Sequence, residues 1–203
     1  MEEKPILNNN MKKTLDELIR IPRMGTDTTL DNYNSVQGLI DMLNHIGGLT
    51  DKVMVEIGCF SGVSTETFLQ FNPKKLYAID IWGLNDSYAE CDWISSGKLN
   101  FTLIEQSFRT MAKNYDNVEI VKNFSKHASF GFRNNSVDFV YIDGDHSYNA
   151  VVDDIEHWLP KIKTGGYITG HDSSQIDVLN AVRKTLNPLT IVLFRDSSWL
   201  VKV

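Results

Sequence analysis

Cysteine is scarce in this chain. Two residues, Cys59 and Cys91, cannot build a disulfide framework in 203 positions, so a reduced, cytoplasmic setting is the expectation. Apolar runs of membrane-spanning length are missing, and the opening Met1-Glu2-Glu3-Lys4-Pro5 is acidic and polar, unlike a signal peptide. Excess positive charge is missing too. Lys and Arg number 20 against 26 Asp and Glu, for a formal net charge of −6, which argues against a general nucleic-acid binder. No internal repeat or low-complexity segment interrupts the pattern. What remains is ordinary for a globular domain: 42% hydrophobic and 23% charged residues, in a chain long enough to bury a core. Neither nucleic acid nor membrane is expected as a partner.

The most informative stretch runs from Val53 to Val63. Val53-Met54-Val55-Glu56-Ile57 reads as a short buried strand, Gly58 and Gly62 break it, and Ser61 or Ser64 is placed to cap a helix that starts at once. A strand, a glycine turn and a helix N-terminus form a nucleotide site. Glycines there lack a Cβ and let a ligand lie against the backbone. A second strand, Lys75–Asp80, ends in a carboxylate about twenty residues past the glycines, where a ribose diol is held in such folds.

Details discriminate between cofactors. A dinucleotide site wants Gly-x-Gly-x-x-Gly so that a helix N-terminus meets a pyrophosphate. Here the spacing is Gly58-x-x-x-Gly62, and Glu56 just before the turn repels phosphate. A carboxylate at that place suits a ligand bearing a cation, such as the amino group and sulfonium of S-adenosylmethionine. Glu56-x-Gly58-x-x-x-Gly62 followed by Asp80 resembles the first two motifs of class I S-adenosylmethionine-dependent methyltransferases. The resemblance implies that Glu56, Gly58, Ser61 and Gly62 hold the cofactor's amino-acid end and that Asp80 binds its ribose. It also makes Ser125, just after the third strand, a candidate contact to the adenine ring. Two other readings are an NAD-dependent oxidoreductase and a catalytically idle, methyltransferase-like binding module.

Taken in order, the chain begins with an N-terminal helical arm over residues 1–50. Lys12–Arg20 is a short helix stopped by Pro22. Tyr33–Ile46 is a second helix, with Val36, Leu39, Ile40 and Leu43 inward and Gly47-Gly48 at its end. Three uses are open to this arm: covering the cofactor or shaping the acceptor pocket, plain packing, or contact between copies in a homo-oligomer. From residue 51 strand and helix alternate to the end, so 51–203 is read as the cofactor-binding domain. Ile81–Gly97 has no clean period and reads as an active-site lid, with Trp82 and Trp93 as candidates for covering the ligand; the other reading of Trp82 is core beside the sheet. Leu99–Lys113, Tyr148–Lys161 and Gln175–Leu186 are helical, and Val118–Val121, Ser136–Ile142 and Tyr167–Thr169 are strands. Gly165-Gly166 closes the unit before the last of these, Ser125 caps Lys126–Phe130, and Thr190–Phe194 with Trp199–Val203 makes a terminal hairpin. The fold class that follows is α/β: a doubly wound, Rossmann-like, mostly parallel seven-stranded sheet with a C-terminal antiparallel hairpin.

Ligands in such sheets sit at the carboxyl ends of strands. The fourth strand ends in Ile142-Asp143-Gly144-Asp145-His146-Ser147-Tyr148 and the fifth in Gly170-His171-Asp172, so acids and histidines are expected beside the cofactor turn. Two readings of them stand. Asp143, His171 and Asp172 bind a divalent metal, Mg²⁺ or another, that lowers the pKa of an acceptor hydroxyl while His146 takes the proton. Alternatively no metal is bound, Asp143 orients cofactor or acceptor, and His146 or His171 is the base. Ile-Asp-Gly-Asp-His-Ser-Tyr with a later Gly-Gly-x-x-x-Gly-His-Asp resembles small-molecule O-methyltransferases related to macrocin O-methyltransferase and to cephalosporin-hydroxylase-like proteins. That resemblance implies a metal on Asp143, His171 and Asp172, with His146 as base and Asp143 and His146 catalytic. His171 departs from the branch, where an acid is more usual. The partner implied is a small-molecule acceptor, a sugar or a secondary metabolite.

Overall fold

The computed structural model describes residues 13–19, 29–83, 100–187 and 190–203. Its elements, in chain order, are α1 (Leu15–Ile19), α2 (Thr29–His45), β1 (Val53–Ile57), α3 (Val63–Leu69), β2 (Lys75–Asp80), α4 (Phe101–Ala112), β3 (Val118–Lys122), α5 (Ser125–Ser129), β4 (Val137–Ile142), α6 (Tyr148–Trp158), β5 (Ile162–Gly170), α7 (Ile176–Leu186), β6 (Val192–Leu193) and β7 (Trp199–Lys202). The seven strands form one sheet in the order β3-β2-β1-β4-β5-β7-β6. β1 to β5 run parallel and β7 is antiparallel to both neighbours. The chain winds outward from β1 to β3 and returns with β4 against the other side of β1. That reversal leaves a crevice above the carboxyl ends of β1 and β4. Among the described residues no helix is long and apolar enough to cross a membrane.

Both faces of the parallel sheet are covered, so its strands are apolar on both sides, with a period of two deciding the face. Met54, Phe139 and Tyr141 point to the layer of α1 to α4, with Phe68 and Phe108. Val55, Ile57, Val140 and Ile142 point to the layer of α5 to α7, with Trp158 and Val182. In α2 the expected stripe Val36, Leu39, Ile40 and Leu43 is buried in the first layer. Each such side chain withdrawn from water contributes about 2 kcal/mol against the entropy of ordering it. Glu66 of α3 ties in two other segments: Lys13, ahead of α1, places Nζ 2.6 Å from its Oε1, and the hydroxyl of Tyr115, after α4, donates to the same oxygen at 2.9 Å.

Several boundaries differ from the sequence reading. α2 starts at Thr29, ahead of Tyr33. α6 ends at Trp158 and tightens into a 3-10 turn, Leu159–Lys161, because Pro160 has no amide to continue the helix. β5 begins at Ile162 rather than Tyr167, and Gly165-Gly166 lies inside the strand. Gly165 adopts φ +83° where the register with β4 shifts, so these glycines form a bulge and not a terminator. Of the expected lid, only Ile81–Gly83 is described; the remainder, with Trp93, lies outside the described residues. Trp82 is not a lid residue. It is 3% exposed, its ring sits 5.0 Å from that of Phe108, and its indole N–H donates to Phe60 O at 2.9 Å.

Candidate active site

The turn after β1 is shaped by three residues with positive φ: Gly58 (+83°), Phe60 (+46°) and Gly62 (+94°). The two glycines do different work. A Cβ on Gly58 would fall 2.0 Å from Asp143 O, so this glycine lets the ends of β1 and β4 touch backbone to backbone. A Cβ on Gly62 would fall 2.6 Å from Met111 Cε and 3.0 Å from the Phe108 ring. Gly62 therefore admits α4 against the turn and does not face a ligand cavity. The left-handed Phe60 is held by Asp80, whose Oδ2 accepts from Phe60 N at 2.8 Å and whose Oδ1 accepts from Trp82 N at 2.8 Å. Burial raises the Asp80 carboxyl above its ordinary range, and the surrounding backbone amides partly offset that.

Glu56 shares the sheet face of Met54, so its side chain points beneath the turn toward α3. It is wholly buried, and its two oxygens accept from the Ser64 and Thr65 hydroxyls. Burial pushes this carboxyl up to about 8, with the two hydroxyls offsetting only part of the effect. It lines neither cavity described below. The expected attraction between Glu56 and a cationic ligand is replaced by a tie from β1 to the first turn of α3. That helix has Gly62 at its N-cap, with no side-chain cap from Ser61 or Ser64.

Two cavities open above the strand ends and share Gly58, Phe60, Asp143 and Gly144 as a common waist. The first lobe, about 440 Å³, lies over the tips of β1 to β4. Ile57, Ile79, Ile81, Phe124 and Ala150 give it apolar walls, and Asp80, Ser125 and Asp154 are polar groups on its lining. Ser125 is the first residue of α5 rather than its cap; the N-cap is Phe124. The Ser125 Oγ accepts from Trp158 Nε1 at 2.9 Å. Asp154 was not singled out from the sequence. It is buried and hydrogen-bonded to Ser125, and burial pushes its carboxyl up to about 6.

The second lobe, about 470 Å³, lies between the tips of β4 and β5 and the helix α2. Asp143, His146, His171, Asp172 and the buried Ser61 all line it, so the strand ends converge as expected from their acids and histidines. His146 Nε2 lies 3.0 Å from Asp172 Oδ2 and 3.6 Å from Asp143 Oδ1. The nitrogen is buried and makes no directed hydrogen bond to either carboxylate, while Nδ1 contacts the Gln175 amide at 3.3 Å. The Asp143 carboxylate beside it raises the imidazole above its ordinary value, with Asp172 adding to the effect against burial. Asp172 itself sits at φ +59°, a strained conformation at the mouth of the lobe.

His171 behaves differently from its expected place in a metal site. Its Nδ1 lies 3.4 Å from Asp172 Oδ2 and 3.8 Å from Asp143 Oδ1. Burial works against its charge, but Asp172, Asp143 and Asp196 outweigh that and push the imidazole up to about 9. The compact donor set is Asp143, His146 and Asp172, whose ligand atoms lie within 4.8 Å of one another. The histidine in this close grouping is His146, with His171 on its edge.

The outer wall of the second lobe comes from the N-terminal arm and from a turn that the sequence reading passed over. Ser35 and Leu39 of α2 line it, as does Asp196 from the turn between β6 and β7. Asp196 is buried, with Oδ1 accepting from Ser198 N at 3.0 Å and Oδ2 from Ser198 Oγ at 2.8 Å. Its carboxyl fits because α2 has a glycine opposite: a Cβ on Gly38 would fall 2.2 Å from Asp196 Oδ1. The readable signals were a glycine inside an otherwise regular helix and, for Asp154, a carboxylate on the apolar stripe Val151, Ile155, Trp158.

Comparison with known proteins places this geometry. The sequence profile of a family described as methyltransferase domain matches residues 55–173. An uncharacterised protein of Sinorhizobium fredii, y4gI, is 28% identical over 131 residues, which is 63% of this chain and 14% of that protein's length. Among solved structures, phosphoethanolamine N-methyltransferase 1 of Haemonchus contortus, in complex with phosphoethanolamine and S-adenosylhomocysteine, superposes with a TM-score of 0.54. The identity is 17% over 78% of this chain and 30% of that one. Fibrillarin of Aeropyrum pernix, with S-adenosyl-L-methionine bound, gives a TM-score of 0.56 at 11% identity, over 84% of this chain and 76% of that one. At these identities the structural likeness shows a common fold.

Proposed function

This chain belongs to the methyltransferase domain family, and from that premise we propose that it binds S-adenosylmethionine and methylates a hydroxyl oxygen of a small molecule. The observation that supports the reading is the single waist, Gly58 against Asp143, that joins an apolar lobe to a lobe lined with acids and histidines. The residues present fit the cofactor. Asp80 lines the first lobe with its carboxylate oriented by backbone amides toward a ribose diol, while Gly58 leaves the waist free of a side chain. Bound S-adenosylmethionine supplies an electrophilic methyl group on a sulfonium. The chain's part is to align the acceptor oxygen, exclude water and remove the hydroxyl proton.

His146 is the proton acceptor in this reading. Its Nε2 is buried, has no directed hydrogen bond and lies between two carboxylates that stabilise the imidazolium once it forms. Asp143 orients both partners because it lines both lobes. Ser35 and Leu39 give the N-terminal segment the role of a cap on the acceptor side. The close grouping of Asp143, His146 and Asp172 favours a second reading, in which the three hold a divalent cation. Such a cation would lower the pKa of a hydroxyl placed on it. The oxidoreductase and idle-module alternatives are not favoured beside membership of this family.

The test is transfer of labelled methyl from S-adenosylmethionine to a panel of sugars and polyhydroxylated aromatics, with amine acceptors as the contrast. The expected product carries the label on oxygen, and transfer confined to amines overturns the O-methylation reading. Repeating the assay with a chelator separates the two roles of His146: unchanged turnover supports the base, and loss restored by Mg²⁺ supports the cation.

A further inference from the structure

In the second lobe acids outnumber bases. Asp143, Asp172 and Asp196 line it beside His146 and His171, and among the described residues no Lys or Arg does. The histidines are already engaged: His146 Nε2 lies 3.0 Å, and His171 Nδ1 3.4 Å, from the same Asp172 Oδ2. Arg195, next to Asp196 in the chain, is drawn away, with Nε 2.9 Å from Asp41 Oδ2 on α2.

Asp196 differs from the other two acids in origin. It comes from the β6–β7 turn, beyond the residues 55–173 that the family profile matches. The hydrogen-bond direction around it is fixed. Ser198 Oγ gives its proton to Asp196 Oδ2 at 2.8 Å, so it accepts from the Tyr141 hydroxyl at 3.2 Å. Tyr141 lines the lobe, yet its proton is spent on Ser198 and is not available to a bound anion. The Ser64 hydroxyl on the same lining is likewise spent on Glu56. Burial raises the Asp196 carboxyl above its ordinary range, and the amide and hydroxyl of Ser198 partly offset that. The group is also fixed in place. Gly38 packs against it too closely for a Cβ, Ser197 beside it has φ +70°, and Ser197 O accepts from Ser173 N at 2.9 Å.

We propose that Asp196 is a specificity-determining residue, accepting a hydrogen bond from a second, non-reacting hydroxyl of the acceptor and repelling a carboxylate or phosphate at that place. The acceptor class is then a neutral polyol. An anion there meets a fixed negative charge, beside histidines already engaged by Asp172 and hydroxyls whose protons are spent. A hydroxyl brings the proton that the carboxylate accepts. This assignment rests on the O-methylation reading above.

The labelled-methyl assay tests it when sugars and polyhydroxylated aromatics are run beside their carboxylated counterparts, methyl glucosides beside methyl glucuronides and catechol beside protocatechuate. The wild type is expected to show a kcat/KM at least about tenfold higher for the neutral member of a pair. In Asp196→Asn the charge is gone while the amide oxygen still accepts from Ser198, so the preference is expected to disappear. Asp196→Ala is a second variant, expected to act in the same direction. Melting temperature and titration with S-adenosylhomocysteine check that each variant folds. Equal use of neutral and anionic members by the wild type, a comparison that needs no variant, overturns the assignment while leaving the O-methylation reading intact. So does a folded variant that keeps the wild-type preference. Transfer to no sugar and no polyhydroxylated aromatic overturns the O-methylation reading and the assignment together.

Discussion

The two lobes of the cleft are built by different means. The first is made by strand ends and apolar side chains. Its shape follows from the order of β1 to β4, and its polar groups are each held by one or two local bonds. The second is made by side chains in mutual electrostatic contact, Asp143, His146, His171 and Asp172, and closed by α2 and the β6–β7 turn. Parts of that closure, Ser35, Leu39 and Asp196, lie outside the segment matched by the family profile. The contrast teaches that the first lobe follows from the backbone path of the fold and the side chains that end its strands. The acceptor side depends on residues brought in from either end of the chain.

The comparison breaks most completely at the waist. Gly58→Ala places a Cβ 2.0 Å from a backbone carbonyl at a positive φ, and is expected to destabilise the protein by about 2–4 kcal/mol. Because Gly58 lines both lobes, cofactor affinity and turnover fall together; thermal melting and titration of the same sample check this. His146→Ala separates the lobes instead. It is expected to lower turnover by roughly 10²- to 10⁴-fold with S-adenosylhomocysteine affinity unchanged, and unaltered turnover removes His146 from the mechanism.

Glu56 gives a subtler effect, visible in stability. Its folded-state value of about 8 lies above the ordinary 4.5, so the stability it contributes is fully present below about 4.5 and is lost as pH rises toward 8. The loss is expected at no more than about 1.4 kcal/mol per pH unit, levelling above that point. Melting temperatures between pH 6 and 9 should decline in the wild type and decline less in Glu56→Gln. Parallel curves would contradict the raised value of the buried carboxyl. The smallest effect belongs to Trp82→Phe, which deletes one hydrogen bond to Phe60 O and is expected to cost about 1 kcal/mol. Its acceptor KM should not change, whereas a large rise would restore Trp82 to the lid.

Much of the first lobe was legible because it is local. The alternation of β1, the two glycines and the terminal carboxylate of β2 lie within one strand–helix–strand unit, and the structure brings Gly58 and Asp80 to the cavity. For Glu56 and Gly62 the local reading lacked the partners the fold supplies. Alternation tells which face Glu56 takes, but not that Ser64 and Thr65 wait there, and Gly62 answers to Phe108 and Met111 of a later helix. In the second lobe, position along the strands predicted the meeting of Asp143, His146, His171 and Asp172. It did not predict that Asp196, placed by a hairpin turn against a glycine of α2, joins them and helps to raise the His171 imidazole.

The central claim is that the first lobe holds S-adenosylmethionine. Calorimetric titration of the wild-type chain with S-adenosylhomocysteine, with NAD as the control, tests it most directly. The account predicts one-to-one micromolar binding of the homocysteine compound and no heat from NAD. A flat titration with S-adenosylhomocysteine, or tighter binding of NAD, would contradict it.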